Sequence, residues 1–373
     1  MKRLTSSFSL PTSLLILLPA ATATADFELH GRFHLDYAIH SEDRSDLGNQ
    51  FLLRRARLGV EGDIANDWSY RLEADFAENV LEAKNVYVSY DGWRNAEVTL
   101  GHFKVPFGLE QLTSSDSMTF VERSLPSEAF TPSRRIGLGL ETSGGDWLAQ
   151  AMVFGQEVGA EVRNTDADEG MGIGGRLVFS PSSGERGQWH FGVAASTEQP
   201  ASLDLRQTRF RSYPESRPTG VRLVDTGNIN NVRWITRLGL EAAWESGPYS
   251  AQWEYIQADL DRRSGSSDPG FNGWYLSGSW VLTGESRRYR DGRFRSVRPD
   301  GDSGAWELAA RFSSIDLDDR GIQGGTEKNL ALGVNWYLND QLRFMLNAIF
   351  IDSEGPAGDD NPTILLARTQ LTF

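Results

Sequence analysis

Arginine is the residue type with which this chain is equipped to do chemistry. Of its 37 basic residues only four are lysine: Lys2, Lys84, Lys104 and Lys328. A guanidinium is always charged and presents a planar fork of donors that matches an oxyanion edge. Three clusters stand out. The first is Arg54-Arg55-Ala56-Arg57. The second is Arg206, Arg209, Arg211, Arg217 and Arg222. The third is Arg287, Arg288, Arg290, Arg293, Arg295 and Arg298. Codon bias raises arginine everywhere and accounts for the total better than for the clusters. Their chemistry is reversible binding of oxyanions. Catalysis would need a nucleophile beside a histidine and an orienting group. The five histidines, His30, His34, His40, His102 and His190, lie in no such motif. There is no cysteine, so disulfides, thiol catalysis and cysteine–metal sites are excluded. The glycine-rich stretch 170–175 reads as strand, not phosphate loop. No enzymatic activity and no cofactor are expected.

The elements that must position these arginines are strands. From residue 26 onward large apolar residues alternate with polar ones. Leu330, Leu332, Val334, Trp336 and Leu338 alternate with Ala331, Gly333, Asn335 and Tyr337. Trp68, Tyr70, Leu72, Ala74 and Phe76 alternate with Ser69, Arg71, Glu73 and Asp75. Period two puts the two sets on opposite faces of a strand. The runs last about ten residues, and aromatics such as Trp68, Trp147, Trp189, Trp244, Trp280 and Trp306 sit near their ends, as in a membrane barrel with aromatic girdles. A soluble secreted β-protein is the rival reading.

The pattern predicts a transmembrane antiparallel β-barrel of about sixteen strands: 26–40, 50–62, 67–77, 84–91, 95–103, 134–143, 146–158, 169–180, 187–198, 232–246, 248–260, 270–283, 303–317, 326–339, 341–352 and 362–373. An even count puts both termini on one side, the periplasmic one. Parity then sends the long connections near 104–133 and 199–231 to the extracellular side and that near 284–302 to the periplasmic side. Long connections of this kind are free to fold into the lumen and narrow it.

The N-terminus reads as a secretory signal peptide over 1–25. Lys2 and Arg3 precede a short apolar run, and Ala23-Thr24-Ala25 is a cleavage site. The run is too short to cross about 30 Å of hydrocarbon as a helix. No later stretch is long enough either. Residues 26–373 then form one barrel domain. Losing Lys2 and Arg3 takes the net charge from −14 to −16. Such an acidic chain is a poor partner for nucleic acid.

Alternation places His30, Arg32, His34 and Asp36 on the lumen face of the first strand. His30 and His34 would lie about 13 Å apart along it, too far to share a metal ion. Arg55, Arg57 and Arg71 also face away from lipid. Arg54 falls in the phase of Leu52 and Leu58, where a charge at mid-membrane costs about 2–4 kcal/mol. A bulge, or a place above the hydrocarbon, would resolve the conflict. The 206–222 arginines read either as a solvated loop touching lipopolysaccharide phosphates or as a series of anion sites at the pore mouth.

Four stretches carry a family resemblance: 51–62 (FLLRRARLGVEG), 101–115 (GHFKVPFGLEQLTSS), 122–123 (Glu-Arg) and 282–289 (LTGESRRY). In their order and spacing the chain resembles the phosphate-selective porin O and P family over its length from residue 26. The resemblance implies a trimeric sixteen-stranded barrel in the bacterial outer membrane, with inward-folded loops and arginines that guide small anions such as phosphate. It puts Arg32, Arg54 and Arg55 near the constriction, with Arg123 in the matching 122–123 motif, and the 206–222 arginines in an inner loop. Where strongly phosphate-selective members have a lysine after Thr-Ser-Ser, this chain has Asp116, an acid that repels phosphate. The expected function is passive diffusion of small anions, possible solutes being phosphate or polyphosphate; the alternative is a general or sugar-type porin of weak charge preference. Tyr213, Phe210 and Phe294 are too few for a sugar path. The barrel reading predicts outer-membrane fractionation and heat-modifiable migration on a gel; a detergent-free soluble monomer would refute it.

Overall fold

The computed structural model describes residues 27–373 apart from 42, 157, 159–167, 183, 185–186, 202–204 and 264. The signal peptide, its cleavage after Ala25, and Glu42 lie outside the described residues. Sixteen strands close one antiparallel barrel. In chain order they are β1 Phe27–Ser41, β2 Gln50–Ala65, β3 Trp68–Asp75, β4 Glu82–Trp93, β5 Ala96–Lys104 and β6 Arg134–Gly144. Next come β7 Trp147–Phe154, β8 Gly172–Phe179, β9 Gln188–Glu198, β10 Val232–Ser246 and β11 Tyr249–Arg262. The last are β12 Gly270–Val281, β13 Ala305–Asp319, β14 Ile322–Tyr337, β15 Leu342–Gly355 and β16 Thr363–Thr372. Each pairs with its sequence neighbour, and β16 pairs with β1 to close the ring. All sixteen fall where alternation places them. The β13–β14 hairpin runs further than expected, through a tight turn at Arg320 and Gly321, both at positive φ.

Alternation survives because the outward residues meet hydrocarbon. Leu29, Phe33, Leu58, Leu100, Leu138, Leu240, Leu332 and Leu346 are all exposed on the outer face. On the side of the chain termini the turns are short except for the connection 282–304, and aromatic rings stack across strands there: Trp306 on Trp336 at 5.4 Å, Trp336 on Phe344 at 5.5 Å and Tyr249 on Trp280 at 6.0 Å. Tryptophan and tyrosine favour the membrane–water boundary, so these rings mark one edge of the hydrocarbon band. Among the described residues no helix is long and apolar enough to cross a membrane.

The far-side connections are longer, and two of them enter the lumen. Residues 105–133 carry two short helices, α1 Leu109–Leu112 and α2 Leu125–Phe130. The chain turns into α1 at Gly108, whose φ of 78° favours glycine. The free N–H groups of Leu109 and Glu110 donate to the Glu254 carboxylate of β11 at 2.6 and 2.8 Å. Pro126 stands in the first turn of α2, where its missing N–H costs no helical bond. The 199–231 connection contributes a ribbon, Arg211–Ser212 against Val224–Asp225. From the terminus side, 282–304 enters with a second ribbon, Tyr289–Arg290 against Arg293–Phe294.

These three segments fill one half of the lumen. Phe107, Leu125, Phe130, Phe210, Val224 and Ile229 pack against inward-facing Ile235, Ile256, Leu260, Phe271 and Ile315 in one buried core. The strands around it are therefore apolar on both faces. Arginines anchor the plug to the wall. Arg311 of β13 donates to Glu110 Oε1 and to the Glu122 carbonyl, both at 3.1 Å, pairs with Glu215 at 2.7 Å, and lies over the Phe120 ring. Arg343 of β15 donates to the Met118 carbonyl at 2.7 Å. Arg287, from the terminus side, donates to the Ser117 carbonyl at 2.6 Å and to Thr119.

Removing one partner of a buried ion pair costs about 3–5 kcal/mol, because the other charge is left unpaired. Arg311→Met strands Glu110 and Glu215 together. We expect the barrel to keep its heat-modifiable migration, 105–133 to become protease-sensitive, and single-channel conductance to rise. Unchanged cleavage and conductance would show that the plug is held elsewhere.

Candidate anion pathway

The half of the lumen left open, along β1–β7, is a cavity of about 1150 Å³. Thirteen basic and nine acidic side chains line it, an excess of four positive charges in a chain whose net charge is −14. Seven of the arginines expected in the pathway line it: Arg32, Arg54, Arg55, Arg57, Arg71, Arg123 and Arg217. Arg206, Arg209, Arg211 and Arg222 do not. Arg209 pairs with Asp225 at the surface, and Arg222 lies 3.7 Å from the centre of the Tyr213 ring.

The conflict over Arg54 is settled by a bulge. His34 pairs with Arg55 and Leu35 with Leu53, so Arg54 is the extra residue between them. A bulge turns both flanking side chains of its strand to one face locally. Arg54 therefore joins Arg55 in the lumen, while Phe51 and Leu58 stay outside. The Arg54 guanidinium reaches Glu122 through two bonds of 2.7 and 3.1 Å. Glu122 also accepts from Arg368 of β16 at 2.8 Å. Burial pushes the Glu122 carboxyl up, but Arg54, Arg55 and Arg368 together hold it well below the usual carboxylate range.

Most of the other wall arginines are also engaged. Arg57 binds Asp75 at 2.8 Å and Arg71 binds Glu61 at 2.9 Å. Glu73 sits among Arg32, Arg57 and Arg71 at 3.5–3.6 Å from each. Arg32 donates to Ser114 at 2.9 Å, Ser115 at 3.0 Å and Asp116 at 3.0 Å. Burial raises the Asp116 carboxyl, and Arg32 with the Ser114 hydroxyl more than reverses this, leaving it below its ordinary value. Asp116 is thus ionised at neutral pH and already holds one lumen arginine.

Two cations differ. Arg55 is buried, and its one side-chain hydrogen bond is with His34 Nδ1 at 3.3 Å. Arg134 of β6 donates to Asn85 at 2.9 Å. Among the described residues neither has a carboxylate within ion-pair distance. Arg123 and Lys104 donate to backbone carbonyls of 110–113, which gives the segment positive charge without neutralising it. A group so placed can lend two N–H donors to an oxyanion that has shed part of its hydration. The arrangement offers reversible binding and no nucleophile–base pair.

Lys84, Lys104 and Arg134, which stand outside the three sequence clusters, also line the cavity, together with Arg290, Arg293 and Arg295 of the third cluster. Arg176, Arg311, Arg343 and Arg368 anchor the plug or its wall. Each of these four is a lone arginine on the inward phase of its strand, so alternation was the signal that would have found it.

The residues 27–373 match the family model of the phosphate-selective porins O and P. Porin O of Pseudomonas aeruginosa is 28% identical over 396 residues, covering 93% of this chain and 88% of that protein. An uncharacterized protein of Caulobacter vibrioides is 30% identical over 346 residues, covering 88% of this chain and 69% of its own. Among solved structures, the anion-selective porin from Comamonas acidovorans superposes with a TM-score of 0.62 at 16% identity, covering 94% of this chain and all of that one. The pathway, the barrel and the family match lead to one conclusion: the chain belongs to the phosphate-selective porin O and P family, as an anion channel of the bacterial outer membrane.

Proposed function

We propose that the lumen arginines select and guide the anions, and that the channel passes small anions with little retention of phosphate. The observation that carries this is the lining itself, positive in an acidic chain, with no carboxylate among the described residues within ion-pair distance of Arg55 or Arg134. Conduction needs sites strong enough to admit an ion and weak enough to release it. Glu73 and Asp116 supply the weakening, because their carboxylates already occupy the donors of Arg32, Arg57 and Arg71. The family resemblance supports a homotrimer, and one structural relative, OmpT of Vibrio cholerae, is described as a trimer form. The position of Arg206, Arg209 and Arg211 outside the cavity on the far-side connection supports a contact with lipopolysaccharide phosphates, for which Arg209 would have to share its donors with Asp225.

Arg55→Glu with Arg57→Glu should move reversal potentials in salt gradients toward cations, while Asp43→Asn with Asp359→Asn changes little. Dominance of the outer acids over the arginine pair would overturn the reading even with the barrel intact. Glu73→Gln should act in the opposite direction. It removes the carboxylate shared by three guanidinium groups, which keep Asp116, Asp75 and Glu61 as partners, and raises the lining's net charge by one, so phosphate should block chloride current at a several-fold lower concentration. An unchanged block would show that Glu73 does not compete with the permeating anion.

A further inference from the structure

We propose that β4–β6 form a shelf for the apolar body of an organic monoanion, so that aryl carboxylates are taken more readily than inorganic phosphate. This rests on the anion reading above and names its substrate class.

The shelf is made of Tyr87 and Phe103, which both line the cavity with ring centres 6.0 Å apart and planes at 70°. Two glycines leave room for the rings against the wall. A side chain at Gly139 would come within 2.8 Å of the Phe103 ring, so the ring lies against bare backbone. At Gly101 a Cβ would stand 2.3 Å from the Val86 carbonyl oxygen, and its φ is +142°. Behind Phe103 lie Val105, Met152 and Phe154, a buried apolar cluster that fixes its back.

Cations stand at both ends. At one end Arg71 is the direct cross-strand partner of Tyr87. At the other end Arg134 donates to Asn85, which alternates with Tyr87 on the inner face of β4. Phosphate gains nothing from the rings, and its second negative charge meets Glu73 and Asp116. A ring bearing one carboxylate meets the guanidinium with its charged edge and removes its apolar face from water on the shelf. Edge and face contacts of this kind are oriented, so they favour a planar ring over a methyl group of equal charge.

The test uses the full-length channel in planar bilayers carrying chloride current, with benzoate, acetate and phosphate as blockers. Benzoate is expected to reach half-block at a concentration about 3- to 10-fold below that of acetate, and below that of phosphate. Phe103→Ser should bring the benzoate-to-acetate ratio close to one. Should that variant fail to fold, Gly139→Ala displaces the ring while leaving Phe103 itself in place, and Phe103→Leu keeps most of its apolar volume without the ring; both should lower the ratio. A wild-type ratio of one, tighter block by phosphate, or a ratio unmoved in every folded variant overturns the shelf. Reversal potentials in chloride alone separate the two proposals. An anion-selective channel with a ratio of one loses only the shelf, whereas a cation-selective one loses both.

Discussion

Glu122 is bound at once by Arg54 from the second strand and Arg368 from the last, and Arg368 in turn grips Asp36 of the first strand at 2.6 and 2.7 Å. One buried carboxylate thus ties the in-folded segment to the seam where the barrel closes. Closure is also completed there by the terminal Phe373, which exchanges backbone hydrogen bonds with Gly31. A charge buried like this is tolerable only when its partners are in place. The rest of the lumen depends on this tie. It fixes where the 105–133 segment stands, and so which half of the barrel is plugged and which conducts.

The arginines divide by what the plug leaves them to do. On β13–β16 the carboxylates and carbonyls of the in-folded segments engage Arg311, Arg343 and Arg368. On β1–β6 the wall faces open space, and the same residue type is only partly neutralised. The plug therefore makes a constriction and also sets the sign of the field in the open half, by taking the arginines on its own side out of play. Hydrophobic packing around Phe130 and Phe210 holds the helices, while ion pairs fix their register against the wall.

The barrel was legible in the sequence because lipid enforces one apolar face on every strand. The enforcement is so regular that Arg54, which breaks it, stands out as a conflict that a bulge or a place above the hydrocarbon would resolve, and the structure has the bulge. Where the signal was weaker, a second physical demand was superposed. Ile235, Ile256 and Phe271 are apolar in the inward phase because loops pack on them, which no local pattern encodes. Lone arginines such as Arg176 belong to no cluster, and only their inward phase on a strand distinguishes them. In the 206–222 cluster, Arg217 reaches the cavity while Arg209 faces solvent, a split set by how the ribbon Arg211–Ser212 and Val224–Asp225 lies on the wall.

Net charge is a poor guide to what such a channel passes. The acids outnumber the bases by 14 over the whole chain, yet the ratio reverses along the one surface an ion traverses. At about 0.15 M salt an exposed charge is screened beyond roughly 8 Å. Acids on the outer loops, such as Asp43 and Asp359, therefore contribute little inside the lumen. Lining charges act at contact distance, with lower dielectric behind them, and their field is not averaged away. An acidic exterior and a basic pathway are thus compatible in one barrel, because alternation gives each strand two faces and the plug decides which inward charges remain free.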